Sequence, residues 1–363
     1  MATSITGSNA PRREWSVDSA VYERLLPLMQ QYPFNLLHSV TDNLPNVGKT
    51  IKVPGFVDKV SAAANCNTTD TGTGGIVLTD VVLKPAFNKM RRSLCYTDLR
   101  ELEGFQEGWS AQQPWELMAN PEFVNFFATF FLDGFQLDNF RLLWLGDVAA
   151  ALESGGGYIR AGKNPADYTL MDGLWTQIFA AGAGINRVNL SKNTLTTTAL
   201  QTAYTGAEMI ALLQDAITAL EPQAYAKLLL DGGYFLVPAW WYKRIKQHYE
   251  TISVTATGNA QGPIVNGNVE VGGVPLVPMP IWDLYVGSPQ NNGDTSTQSG
   301  AALYYPNRFI LTTSPSAMPV GFGYNPTLLA PTIDMTDNEN TRFRAELGIA
   351  AKLGNTFMMS VGY

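Results

Sequence analysis

The sequence predicts an α+β fold in which an extended arm and a long β-hairpin precede one long helix, with shorter helices and strands after it. Three features point there. Two β-prone runs, Lys49–Lys59 and Ile76–Lys84, flank a stretch rich in Asn, Thr and Gly at Asn65–Gly75. Apolar residues recur at steps of three and four from Phe123 to Leu152, the spacing of an amphipathic helix. Beyond residue 230, short runs of Val, Ile and Leu are separated by Gly, Pro and Asn, as strands are by turns.

Residues 1–60 read as an arm. Pro33, Pro45 and Pro54 favour an extended course over a compact core. The one stretch with helical spacing, Ser19–Gln31, is weakened by Pro27. Residues 61–100 read as a hairpin whose flexible tip projects from the body, after which Lys89-Met90-Arg91-Arg92 leads into Ser93–Thr97. A projection of this kind buries little by itself and needs a covering partner.

The long helix opens at Asn120-Pro121-Glu122. Asn is a good N-cap, Pro suits the first helical position, and the Glu carboxylate complements the dipole. Phe123, Phe126, Phe127, Phe130, Leu137, Phe140, Trp144, Leu145, Val148 and Leu152 continue the stripe until Ser154-Gly155-Gly156-Gly157, a glycine stop. The expected helix, 121–153, is about 33 residues, or roughly 50 Å at 1.5 Å per residue. That is the length of a spine.

Residues 155–204 read as a Gly/Asn/Thr-rich insertion with one apolar patch, Leu170–Ala183. A second helix starts at Thr205, whose partner Glu208 completes a capping-box pattern. Met209, Leu212, Leu213, Ala216, Ile217 and Leu220 form its apolar face, and Pro222 is read as its end. Tyr234–Val237 reads as a strand that turns at Pro238 into a third helix, Ala239–Glu250. Val274–Val277, Ile281–Val286 and Arg308–Thr312 read as strands, and Gly287–Gly300 as a polar loop. Two last strand-like runs, Arg342–Leu353 and Thr356–Val361, are expected to form a hairpin about Gly354-Asn355.

Composition narrows the function. The chain has 363 residues, 45% of them hydrophobic, enough for a sizeable core. Only 15% are charged, against roughly 25% in an average soluble domain, which suits surface hidden against further copies. A net charge of -7 disfavours blanket neutralisation of nucleic-acid phosphates. Residues 1–100 hold 11 basic and 8 acidic side chains, net +3, whereas residues 101–363 hold 13 and 23, net -10. The split is either chance or a basic arm laid across an acidic neighbour. The start of the chain, Met1–Arg13, is polar and carries no signal-peptide core. The runs Phe123–Leu132 and Phe140–Ala151 are broken by Asp133, Asp138, Arg141 and Asp147 and fall short of the ~18 apolar residues of a membrane span. Two cysteines make no disulfide framework, so a reducing cytoplasm is expected.

No constellation reads as an active site. Gly72-Thr73-Gly74-Gly75 lacks the strand–loop–helix context and the Gly-Lys-Ser/Thr of a phosphate loop. Asp133, Asp138 and Asp147 are spaced by five and nine, which does not stack them on one helix face. His248, beside Lys243, Arg244 and Lys246, reads as a surface histidine and His38 as a structural one. Cys66 and Cys95 have no metal-binding spacing. The reading is therefore no catalytic residue, no cofactor and no metal. Lys89, Arg91 and Arg92 form the dense basic cluster; ion pairing across a subunit boundary is preferred there to phosphate contact.

The order of parts resembles the tailed-bacteriophage major capsid proteins of the Hong Kong 97-like fold, over nearly the whole chain. Gly233-Tyr-Phe-Leu-Val-Pro-Ala-Trp-Trp-Tyr242, Gly273-Val-Pro-Leu-Val-Pro-Met-Pro-Ile-Trp-Asp283, Asn307-Arg-Phe-Ile-Leu-Thr-Thr313 and Arg342-Phe-Arg-Ala-Glu-Leu-Gly-Ile-Ala-Ala-Lys-Leu-Gly-Asn-Thr356 share that family's texture. The resemblance implies an N-terminal arm (1–60), an E-loop hairpin (61–100) and a peripheral domain with spine helix (101–200). An axial domain (201–317) and peripheral-domain return strands (318–363) would follow. It implies a subunit that assembles as pentamers and hexamers into an icosahedral head shell around double-stranded DNA. The DNA would be contacted weakly, decoration, portal or scaffolding proteins could be partners, and no membrane is involved. The shell would assemble in the host bacterial cytoplasm and reside in the virion. Candidate intersubunit contacts are Arg12, Arg13, Lys84, Lys89, Arg91 and Arg92. Some members crosslink Lys to Asn between subunits; Lys84 and Lys89 lie near the hairpin, but no residue marks that chemistry. The segments 155–204 and 287–300 depart from a minimal member as insertions, and no cleavable helical scaffolding region is evident. Rival readings are an encapsulin-like compartment, a tail or baseplate protein, or a cytoplasmic enzyme using the Asp residues with Tyr and Trp side chains.

Overall fold

The computed structural model describes residues 14–16, 38–41, 44–57, 76–95, 121–150, 165–195, 197–255, 264–265, 268–286, 306–323, 332–335 and 340–363. The Ser19–Gln31 stretch, the hairpin tip and the 287–300 loop lie outside these residues.

Among the described residues the strands form three sheets. A six-stranded sheet has the order β1 (Glu14–Ser16), β13 (Thr332–Met335), β14 (Asn340–Ala351), β12 (Val320–Phe322) and β2 (Val40–Thr41), with β5 (Ala86–Cys95) on the other side of β14. A seven-stranded sheet runs β6 (Asn186–Val188), β15 (Met359–Gly362), β11 (Phe309–Thr312), β7 (Tyr234–Pro238), β10 (Val274–Met279), β9 (Asn268–Val271) and β8 (Ile264–Val265). The third sheet is the hairpin of β3 (Lys49–Val57) and β4 (Ile76–Leu83). Among the described residues seven α-helices accompany them: α1 (Pro121–Leu145), α2 (Leu174–Ala181), α3 (Thr198–Gln201), α4 (Gly206–Thr218), α5 (Pro222–Asp231), α6 (Ala239–Thr255) and α7 (Pro280–Val286).

The sheets cross the domain limits expected from sequence. β15 and β6, from stretches assigned to the peripheral domain, join the seven-stranded sheet of the expected axial stretch. One contiguous apolar core runs from Phe135 to Tyr363. At its centre, Trp282 meets Trp144 edge-on at 5.1 Å and Trp175 at 5.2 Å. Phe179 extends the column to Tyr363 at 4.9 Å. Each such aromatic pair adds about 0.5–1.5 kcal/mol beyond its buried area.

Several expectations need correction. The spine helix ends at Leu145, short of 153. The Gly146 carbonyl turns away to accept from Gly173 N at 2.8 Å and Thr176 Oγ1 at 2.6 Å, and Asp147 N bonds Tyr168 O at 2.9 Å. A Cβ at Gly146 would run into the Met171 and Leu142 carbonyl oxygens, so the helix stops where a distant segment crosses it. That segment, residues 165–195, belongs to the core: Leu174, Trp175 and Ile178 are fully buried, and β6 pairs with β15. Pro222 starts α5 at its first position and ends nothing. Residues 281–286 are helical, with Ile281, Trp282, Tyr285 and Val286 buried at helical spacing. The two last strands belong to different sheets, so Gly354-Asn355 is no hairpin turn.

The Thr205 reading holds in detail. Thr205 Oγ1 accepts from Glu208 N, and the Glu208 carboxylate returns to Thr205 N at 2.7 Å. That backbone bond, with Lys192 beside it at 2.9 Å, holds the Glu208 carboxyl below the usual carboxylate range.

Candidate functional site

The hairpin base is built by strand alternation. Along β3 and β4, Ile51, Val53, Val81 and Leu83 turn to one face, where they form a small cluster with Leu44 and Ala350, separate from the main core. On the opposite face Thr50, Lys52, Asp80 and Val82 are exposed, with Lys52 directly opposite Asp80. Between Pro54 and Val57 the pairing gains an extra residue on β3, a bulge that bends the ribbon and suits a proline that has no N–H to donate.

The base is fastened to the body at three points. Thr79 Oγ1 donates to Asn355 Oδ1 at 2.6 Å, and Leu44 N to Phe322 O at 2.8 Å. Gly321 leaves room for Leu44, whose side chain a Cβ there would strike. Each buried Leu or Val contributes about 1.5–3 kcal/mol of burial free energy, which holds the base in place.

The expected contact residues lie around this base. Lys84 is exposed between β4 and β5. Lys89, on β5, pairs with Glu346 of β14 at 3.4 Å, with both side chains about half exposed, a pair worth at most ~1 kcal/mol. Lys89 thus has a partner within its own chain. The β5–β14 register places Arg91 opposite Arg344 and Arg92 opposite Phe343. Arg12 and Arg13 fall outside the described residues.

The groups weighed for chemistry are dispersed. Asp138 pairs with Arg141 at 3.1 Å. Asp147 lies beyond the end of α1, buried, and accepts from Ala149 N at 2.9 Å. Burial raises the Asp133 carboxyl above its ordinary value. His38 is buried against Trp144 at 5.5 Å, and its Nδ1 donates to Met318 O at 2.9 Å. Burial lowers its pKa to about 4, so the imidazole is neutral. Cys66 and Gly72–Gly75 lie outside the described residues. Among the described residues, no group of three or more His, Cys, Asp or Glu side chains could hold a metal ion, and no helix is long and apolar enough to cross a membrane.

Two polar devices were not legible in sequence. Asn193 and Asn307 exchange bonds in the interior, Asn307 Nδ2 to Asn193 Oδ1 and Asn193 Nδ2 to Asn307 O both at 2.8 Å, and Trp241 Nε1 reaches Asn307 Oδ1 at 3.2 Å. They lock the 186–204 segment to the start of β11. Asp283 of α7 accepts from Trp240 N at 3.1 Å at the start of α6; burial outweighs that bond and moves its pKa up to about 6. No local sequence pattern marks either device, because each joins residues more than 40 positions apart.

No family model and no curated protein matches the chain. Solved structures do. A chain of the satellite phage P4 procapsid that includes the size determination (Sid) protein matches at 13% identity and TM-score 0.50, over 96% of this chain and 92% of that one. The capsid of an empty GTA particle matches at 12% identity and TM-score 0.45, over 100% and 94%. The virus-like particle from Pyrococcus furiosus matches at 9% identity and TM-score 0.44, over 95% and 98%. The likeness to the P4 procapsid chain is one of fold. This chain has the α+β, Hong Kong 97-like fold that its order of parts suggested.

Proposed function

We propose that this chain is the major capsid protein of a tailed bacteriophage, a structural subunit that assembles with copies of itself into an icosahedral head shell around double-stranded DNA. The observation that carries the proposal is the β3–β4 ribbon. Its base is clamped to the body by Leu44, Val53, Val81 and Leu83, while its outer strand face is exposed. On a fold shared with a procapsid chain, a β-ribbon fastened to the body at its base suits a device for reaching a neighbour. A two-stranded ribbon is marginal in water until something covers it. Contacts from one surface of each subunit to a different surface of the next close into rings when the rotation allows. In this reading the arm and the ribbon are the E-loop-type extensions, the rings are pentamers and hexamers, and Lys84, Arg91 and Arg92 face neighbouring subunits. The role is structural, with assembly in the host cytoplasm and residence in the virion.

Sedimentation of the expressed full chain, with negative-stain imaging of the pellet, tests the proposal. Hollow particles tens of nanometres across are expected, and their nucleic-acid content separates a DNA shell from a cargo compartment. A small discrete oligomer insensitive to concentration and salt overturns it. Replacing residues 58–75 by an Asn-Gly turn keeps the β3–β4 pairing, because Val57 stands opposite Ile76. That variant should fold and stay soluble without forming shells; normal particles would refute the role given to the ribbon.

A further inference from the structure

We infer that the exposed ridge of α5 is a contact between copies of this chain. The inference rests on the shell reading above and assigns it a second surface, remote in sequence from the ribbon. Only Ala224 and Leu228 of α5 are buried. On its outer side Tyr225 is 43% exposed, Leu229 69% and Leu230 83%. Tyr225 and Leu229 stack one turn apart, and Leu230 stands about 100° further round, with the half-buried Ala226 between them. Three large apolar side chains on one ten-residue helix form a patch, whereas single exposed leucines scattered over a surface need no explanation.

Charge and area decide what covers the ridge. The chain carries -7, so copies repel unless they meet where the local charge cancels. On α5 it does: Lys227 and Asp231, its two charged residues, pair with each other. A nucleic acid would need surplus cations here, and a membrane surface would need a basic face. Fully covered, the three side chains offer on the order of 400 Å², against about 800 Å² per partner in a stable pairwise complex. The patch is too small to hold a separate protein or an isolated dimer. It suits a contact repeated round a closed ring, where every copy takes part in two such contacts and cannot leave without breaking both.

The test compares Leu229→Asp/Leu230→Asp with the parent chain. Both side chains are exposed in the subunit, so the thermal unfolding of the subunit should be unchanged while the yield of sedimenting particles falls at least tenfold. Should that double variant misfold, a second variant decides: Leu230→Cys should react with a maleimide at least tenfold more slowly in intact particles than in dissociated subunits, after subtraction of the parent's labelling. Normal particle yield from the double variant, or equal labelling in particles and subunits, overturns the α5 contact and leaves the shell reading standing. Absence of particles from the parent chain itself overturns the shell reading.

Discussion

Replacing His38 by Gln should remove a pH dependence that the wild-type fold cannot avoid. The ring is 2% exposed, donates from Nδ1 to Met318 O at 2.9 Å and rests on Trp144. Burial takes its pKa from 6.5 to about 4, so the neutral ring is favoured in the fold. The stability this represents is fully present above pH 6.5, declines as pH falls, and is lost once pH passes through about 4. Each pH unit inside that window is worth about 1.4 kcal/mol. Between pH 7 and pH 4.5 the wild type should therefore lose about 2.5 kcal/mol relative to His38→Gln, whose amide can still donate to Met318 O but does not titrate. Urea unfolding of both chains at half-unit pH steps, at one ionic strength, measures the difference. Parallel curves would mean that the ring takes up its proton without leaving the interior, and the reasoning from burial would be wrong.

The aromatic column and the helix cap supply two further tests. Trp282→Ala opens a cavity between Trp144 and Trp175 and should cost about 3–5 kcal/mol, read as a lowered thermal midpoint; a loss under 1 kcal/mol would show that the column collapses to fill the space. Thr205→Ala removes the reciprocal bonds with Glu208 and should cost about 0.5–2 kcal/mol by urea unfolding, with Thr205→Ser restoring most of it.

What could be read from sequence was what local chemistry decides. The ribbon announced itself because two β-prone runs, Lys49–Lys59 and Ile76–Lys84, flank a stretch rich in Asn, Thr and Gly, and the α4 cap because Thr205 and Glu208 stand three apart. The failures share one cause: the deciding partner was distant. Nothing near Leu145 says that residues 168–176 will take over the carbonyl of Gly146. The run Pro280–Val286 is apolar enough for either a strand or a helix, and its packing against the core settled the choice. Gly354 and Asn355 look like a turn pair, yet Gly354 N bonds Ala317 O at 2.8 Å and Asn355 receives Thr79. These bonds direct the chain from one sheet into the next. Pro222 is the one local exception: a proline can end a helix or suit its first position, and here it opens α5.

The pairing of β2 with β12, and of β6 with β15, sets the order of events when the protein is made. Val320 lies beside Val40, 280 positions earlier, and Gly362 beside Val188. Both pairs are parallel, so neither can form by a local turn. A ribosome that has delivered residues 1–300 has supplied β1, β2 and β5 of one large sheet and β6–β10 of the other, and none of β11–β15. Closing such long loops is slow, and the exposed apolar faces in that interval are prone to aggregate. Neither large sheet is complete until the strands of residues 309–362 join those made before them.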